Sequence, residues 1–135
     1  MIKGNNIKVP NFLVVIIILG GILVFYHFQA KDFKTKILAN KAITVGKVIN
    51  CQYRNKQNYV VEYTFETKNK EVQFGYVNGK EYGRLRSIIV GKTFPLVYDS
   101  INSKTNAILI FPNSFEKYGI NFPDSLKWVL EYQNN

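Results

Sequence analysis

The chain has 135 residues, and its formal charge of +9 sets 18 Lys and Arg against nine acids. With an apolar N-terminal run set aside, about 100 residues remain, which is room for one domain with a modest core. A single cysteine excludes an intrachain disulfide, and an aromatic share of 15%, nearly all Tyr and Phe, leans that domain toward strands.

Residues 1–11, MIKGNNIKVPN, read as a polar tail in which Pro10 and Asn11 precede a helix start, with Asn11 able to cap. Residues 12–28, FLVVIIILGGILVFYHF, then run for 17 positions without a charge. As a helix they span roughly 26 Å, enough for a hydrocarbon core. A soluble helix this apolar would need partners on every side, which so small a domain cannot supply. Gly20 and Gly21 are tolerated in a membrane, and Tyr26, His27 and Phe28 stand where interfacial aromatics belong. The spacing of the glycines is not the G-x-x-x-G of a helix dimer.

The rival reading is a cleaved signal peptide with Lys3 and Lys8 as its basic start. Cleavage after Ala30 would put Phe28 in the third-last position, where a small residue is required. The expectation is therefore an uncleaved, single-pass anchor. Lys31, Lys34, Lys36 and Lys41 follow the run, so a count of cations near its ends favours a cytoplasmic C-terminal domain. A short basic tail before a first helix also begins a signal anchor, which has the opposite orientation.

Residues 29–42 continue with helical character as a stalk, Phe33, Ile37 and Leu38 forming a short apolar stripe between lysines. From residue 43 to 135 the pattern predicts a small β domain. Ile43, Val45, Ile49, Cys51 and Tyr53 share one strand face, with a bulge or bend at Gly46. After the polar loop 54–58, Tyr59, Val61, Tyr63 and Phe65 alternate with polar neighbours. Beyond a tight turn at 67–70, Val72, Phe74 and Tyr76 alternate on the returning strand, and 59–77 form the clearest hairpin.

Residues 81–89 read as a loop with a helical turn, and Val90-Gly91-Lys92 as a turn into strand 93–98. There Phe94, Leu96 and Tyr98 share a face, and Pro95 implies an edge or a local break. Residues 99–106 are dense in turn formers, and 107–111 make a last short strand. Pro123-Asp124-Ser125 opens a helix over about 123–133, with Leu126, Val129, Leu130 and Tyr132 on its apolar stripe and Trp128 beside it. The predicted class is mainly β: a transmembrane helix, then a small antiparallel barrel- or sandwich-like domain closed by a C-terminal helix.

The segments TVGKVIN, YVVEYTFETKNKEVQF and VGKTFPLVYDSINSKTNAIL, behind a membrane helix, resemble the DUF3592 family of small bacterial membrane proteins. The matching positions are Gly46 and Val48, Tyr63 and Phe65, Val90, Gly91, Val97, Tyr98 and Asp99, and Asn102. Lys92 stands where the family has Asp, and Ser100 and Ser103 where it often has Pro. Nothing after Phe111 is apolar enough to supply the second membrane helix of many relatives. The resemblance covers roughly residues 12–111; it implies a compact antiparallel domain on a membrane anchor and no activity.

The search for chemistry yields exclusions. His27 is the sole histidine and lies in the apolar run, so no histidine base, triad or His-based metal site can form in the domain. There is no P-loop and no G-x-G-x-x-G, and no catalytic, metal or cofactor-binding residue is assigned. Cys51 reads as a small hydrophobe in a strand. Glu62, Glu66 and Glu71 surround one hairpin and read as a solvated face paired with lysines. Asp99 and Asn102 read as turn-stabilising, their side-chain oxygens accepting from turn amides.

The reading is a non-enzymatic, membrane-anchored domain that binds or scaffolds at the membrane surface. Its partners are the lipid bilayer and possible neighbours among membrane proteins, and no cofactor is expected. The alternative is a basic barrel that binds nucleic acid, with Arg54, Lys56, Arg84 and Arg86 as a candidate basic surface. Against it, the aromatics alternate on the strand face that should be the core, the cations are spread evenly and the chain carries an anchor; one basic face with exposed rings would favour it.

Overall fold

The computed structural model describes residues 11–56 and 58–133, so of the predicted polar tail only Asn11 is described. Helix α1 covers Asn11–Ala39, 29 residues, so the predicted anchor and stalk fall in one helical element. It is long and apolar enough to cross a membrane, and its apolar stretch is unburied. The chain divides into two compact units between Phe33 and Lys34. The second holds the last turns of α1 and everything after them.

Five strands follow: β1 (Lys41–Tyr53), β2 (Tyr59–Glu66), β3 (Val72–Gly79), β4 (Thr93–Asp99) and β5 (Asn106–Ile108). They form one antiparallel sheet in the order β3-β2-β1-β4-β5, with the 13-residue β1 at its centre. The sheet curls until its two edges approach, giving a nearly closed barrel. No backbone ladder joins β3 to β5. The seam is bridged by side chains instead: the buried Tyr63 hydroxyl donates to Asn106 Oδ1 at 2.8 Å. Gly75 of β3 lies under this pair, and a Cβ there would run into the Tyr63 ring and Asn106 Oδ1.

The barrel interior takes Val48, Val61, Tyr63, Phe65, Phe94, Leu96, Tyr98 and Ile108, all buried. Each aliphatic chain removed from water contributes about 1.5–3 kcal/mol. Gly46 faces inward as well, because a Cβ would lie 2.9 Å from Leu96 Cδ1. This corrects two expectations. Gly46 is a packing glycine, and the bulge lies three residues on, where the β1–β2 register shifts between Val48 and Asn50. The extra residue reverses the alternation. Ile43, Val45 and Ile49 point outward and stay exposed, while Cys51 beyond the bulge packs against the core.

The returning strand is corrected in the same sense. Val72, Phe74 and Tyr76 are exposed, and Gln73, Gly75 and Val77 take the inner side. The Tyr63 ring already fills the space inside β3, so only glycine fits at its middle. β4 is not an edge, since it pairs with both β1 and β5. Pro95 is tolerated because its carbonyl accepts from Leu109 N just past the end of β5. In a strand the nitrogen and carbonyl of one residue point the same way, so the missing donor costs no bond to β1.

Between β3 and β4 come a 3₁₀ turn (Lys80–Gly83) and α2 (Arg86–Ile89), which bury Tyr82 and Ile89. Gly91, at φ 84°, closes the turn back onto β1 through bonds between Gly91 N and Val48 O and between Val48 N and Lys92 O. After β5, α3 (Pro112–Lys117) buries Phe115, and Lys41 Nζ donates to Tyr118 O at 3.2 Å. That bond sets the end of α3 beside the start of β1, on the side where Val97 is fully buried despite facing out of the barrel. The C-terminal element, Asp124–Tyr132, is a 3₁₀ helix. Its period of three puts Leu126, Val129 and Tyr132 in line and leaves Leu130 exposed, which the α-helical stripe did not anticipate. Trp128 packs on Phe94, ring centroids 6.3 Å apart, with Lys92 Nζ 5.5 Å from its ring.

Candidate functional site

The outward flip of β1 and β3 creates the most distinctive surface of the domain. Register sets Tyr76 opposite Glu62, Phe74 opposite Thr64 and Val72 opposite Glu66. Across β2, Glu62 pairs with Asn50, whose side-chain amide donates to Glu62 Oε2 at 3.0 Å. This bond spans the bulge and holds Ile49 outward. Phe74 and Tyr76 are 70% and 72% exposed. Large apolar groups clustered on one sheet face point to a binding surface more than single exposed ones do.

Two clefts run along this face. The first, about 340 Å³, is lined by Ile49, Glu62, Tyr63, Phe74, Gly75 and Tyr76. The second, about 400 Å³, shares Glu62 and Tyr76 and continues to Arg54, Asn55, Asn58, Val60 and Asn78 in and beside the β1–β2 loop. Together they make a shallow groove with an apolar middle and a polar end. Its floor is the sheet itself, β2 laddered to β1 on one side and to β3 on the other. Its chemistry is that of recognition: aromatic faces, amide groups, one guanidinium and one carboxylate.

The residues singled out from sequence are dispersed. Arg54 enters the second cleft, whereas Lys56, Arg84 and Arg86 line neither cleft. Arg86 instead acts on Cys51. Burial pushes the Cys51 thiol up, and the nearby Arg86 charge opposes that rise. A thiol held protonated is a poor nucleophile. Burial likewise drives the Tyr63 and Tyr82 phenols well above their ordinary range, so both stay neutral donors.

Asp99 and Asn102 lie at the opposite end of the barrel from the β1–β2 loop. Asp99 Oδ1 accepts from Ile101 N at 2.9 Å, and Asn102 Oδ1 accepts from Lys104 N at 3.3 Å. The backbone closes the same turn, Asp99 N donating to Thr105 O and Thr105 N to Asn102 O, each at 2.9 Å. Among the described residues no group of His, Cys, Asp and Glu is placed to hold a metal ion.

Sequence reasoning missed Ile49, Phe74 and Tyr76 as surface residues because alternation alone does not say which face is inside. The available signal was Gly75 between two rings: the glycine marks the crowded side. Compared with family models, curated proteins and solved structures, the chain has no match.

Proposed function

We propose that this protein is a membrane-anchored, non-catalytic docking domain. α1 holds it at a bilayer, and the groove on the outer face of β1–β3 receives an apolar segment of another membrane protein. The observation that carries this reading is the pair of rings, Phe74 and Tyr76, exposed beside Ile49 on one sheet face. Covering each ring would contribute about 2 kcal/mol. Such a patch is a standing cost in water that a partner relieves. The domain would act by placement, and the anchor's orientation by the cation count sets it on the cytoplasmic side.

Nucleic acid is the weaker reading, because the face carries mixed charge: Tyr76 stands opposite Glu62, Glu66 lies further along β2, and Lys47 lies in the row of Thr64 and Phe74. Single strands need a positive groove under the stacked bases, and among the described residues Arg54 is the one cation lining the two clefts.

The test is site-specific photocrosslinking in intact cells, with a photoreactive phenylalanine at position 74 or 76 of the full chain and at exposed Lys127 as control. A discrete protein adduct from 74 and 76 and none from 127 is expected. No adduct at either ring, or the same adducts from 127, would overturn the docking assignment. A nuclease-sensitive adduct would replace it with the nucleic-acid reading.

A further inference from the structure

A second surface lies at the end of the barrel where α1 meets it. Four segments converge there. Lys41 at the start of β1 pairs with Asp99 at the end of β4. Ser100 N donates to Asn40 O at 3.0 Å, joining the β4–β5 turn to the end of α1. Lys68 N donates to the Tyr98 hydroxyl at 3.0 Å, joining the β2–β3 turn to β4. The two turns together line a polar cleft of about 370 Å³ that includes Thr67, Lys68, Tyr98, Ser100, Ile101 and Ser103.

The charge at this end is one-sided. Lys34, Lys36, Lys41, Lys68, Lys70 and Lys104 are all exposed. Of the acids, Asp32 of α1 is exposed and Glu66 is engaged by Lys70 at 3.0 Å. Asp99 is buried and spends an oxygen on Ile101 N, which leaves Glu71 as the exposed, unengaged carboxylate of the two turns. Amid these lysines Ile101 is 79% exposed, more than any other large hydrophobe among the described residues. The Asp99 bond to its amide fixes the turn that holds it out. An apolar tip ringed by cations matches a surface of anionic head groups over acyl chains.

From this convergence we infer that the end of the barrel carrying Ile101, Lys68 and Lys104 docks on the anionic lipid surface of the bilayer that holds α1. The inference rests on the anchoring part of the proposed function and is independent of the groove on β1–β3. The turns would seat the domain, with Ile101 entering the head-group layer and the lysines meeting lipid phosphates. Short basic-apolar contacts of this kind are weak alone and gain from a tether that keeps them at the surface.

The test is hydrogen exchange on the full chain in nanodiscs of phosphatidylcholine alone or mixed with phosphatidylglycerol. Amides of turns 67–71 and 100–105 should exchange about tenfold more slowly in the anionic discs, the factor expected from one or two lysines held at such a surface. Added salt should erase the difference, as should Lys68→Glu with Lys104→Glu, while β1 amides report that the variant stays folded. Equal exchange in both discs, with α1 still protected, would overturn the lipid contact and leave the anchor standing. Loss of protection in α1 itself would overturn both. The same slowing produced by inorganic phosphate in neutral discs would also overturn the assignment to lipid.

Discussion

Beneath the seam between β3 and β5 a buried side-chain bond ties Tyr63 of β2 to Asn106 of β5, and its removal has a calculable effect. Tyr63→Phe keeps the ring and deletes the hydroxyl, so Asn106 Oδ1 loses the donor 2.8 Å away while remaining buried. An unsatisfied buried acceptor costs about 1–3 kcal/mol. Asn106→Ala removes more. It takes the side-chain acceptor from the Tyr63 hydroxyl, leaving the backbone bond with Ile108, and also deletes the donations of Asn106 Nδ2 to Ser103 O at 2.9 Å and Lys104 O at 3.3 Å. Its expected cost is about 2–4 kcal/mol. For a domain of this size the Tyr63→Phe loss corresponds to a fall in Tm of roughly 5–15 °C. Urea unfolding of the detergent-solubilised chain, followed by the fluorescence of its single Trp, reads both variants, since Trp128 packs on Phe94 inside the same core. The double variant should cost less than the sum, by about 1 kcal/mol of coupling. If Tyr63→Phe lies within about 0.3 kcal/mol of the parent, the seam is not held by this bond and the barrel closes by packing alone.

Three further outcomes follow from the same geometry. Gly75→Ala should destabilise by about 2 kcal/mol or more through the clash with Tyr63 and Asn106, and pairing it with Tyr63→Leu should recover part of the loss in the same unfolding assay. Phe74→Ser with Tyr76→Ser should leave stability within about 0.5 kcal/mol and abolish the crosslinked partner; an unfolded double variant would mean these rings belong to the core. Burial raises the folded-state pKa of Tyr63 and Tyr82 above the ordinary value of 10.0, so the unfolded chain releases these protons first. The contribution of these two phenols should be flat below about pH 10 and fall above it by about 1.4 kcal/mol per pH unit for each. The last step in phenolate absorbance should then coincide with unfolding; ionisation of all nine tyrosines before the chain unfolds would show Tyr63 and Tyr82 to be accessible.

The apolar N-terminal helix, the strand positions and the hairpin were legible because each rests on local pattern: length without charge, period two, turn residues between. The inner face of β2 was legible too, since its opposite face carries Glu62, Thr64 and Glu66. On β1 and β3 both faces carry apolar residues, and their sidedness depends on packing across the barrel: Leu96 against Gly46, and Tyr63 against Gly75. Those contacts join residues far apart in sequence, so no local window contains them. The bulge at Ile49 is of the same kind, being a property of the pairing with β2. The docking groove inherits that opacity, because it consists of the residues whose sidedness was misread.

The placement of β1 has a mechanical consequence. α1 ends at Ala39 and β1 begins at Lys41, so any pull transmitted along the backbone from the helix enters the domain at its central strand. That strand is laced to β2 on one side and β4 on the other. The β4 ladder takes residues 41–47 and the β2 ladder 46–53, so extracting β1 breaks one and then the other, whereas a tether on β3 would peel a single one. The architecture thus sets two ladders in series behind the point where the chain is held, and leaves the three-residue β5 and the side-chain seam out of the line of load.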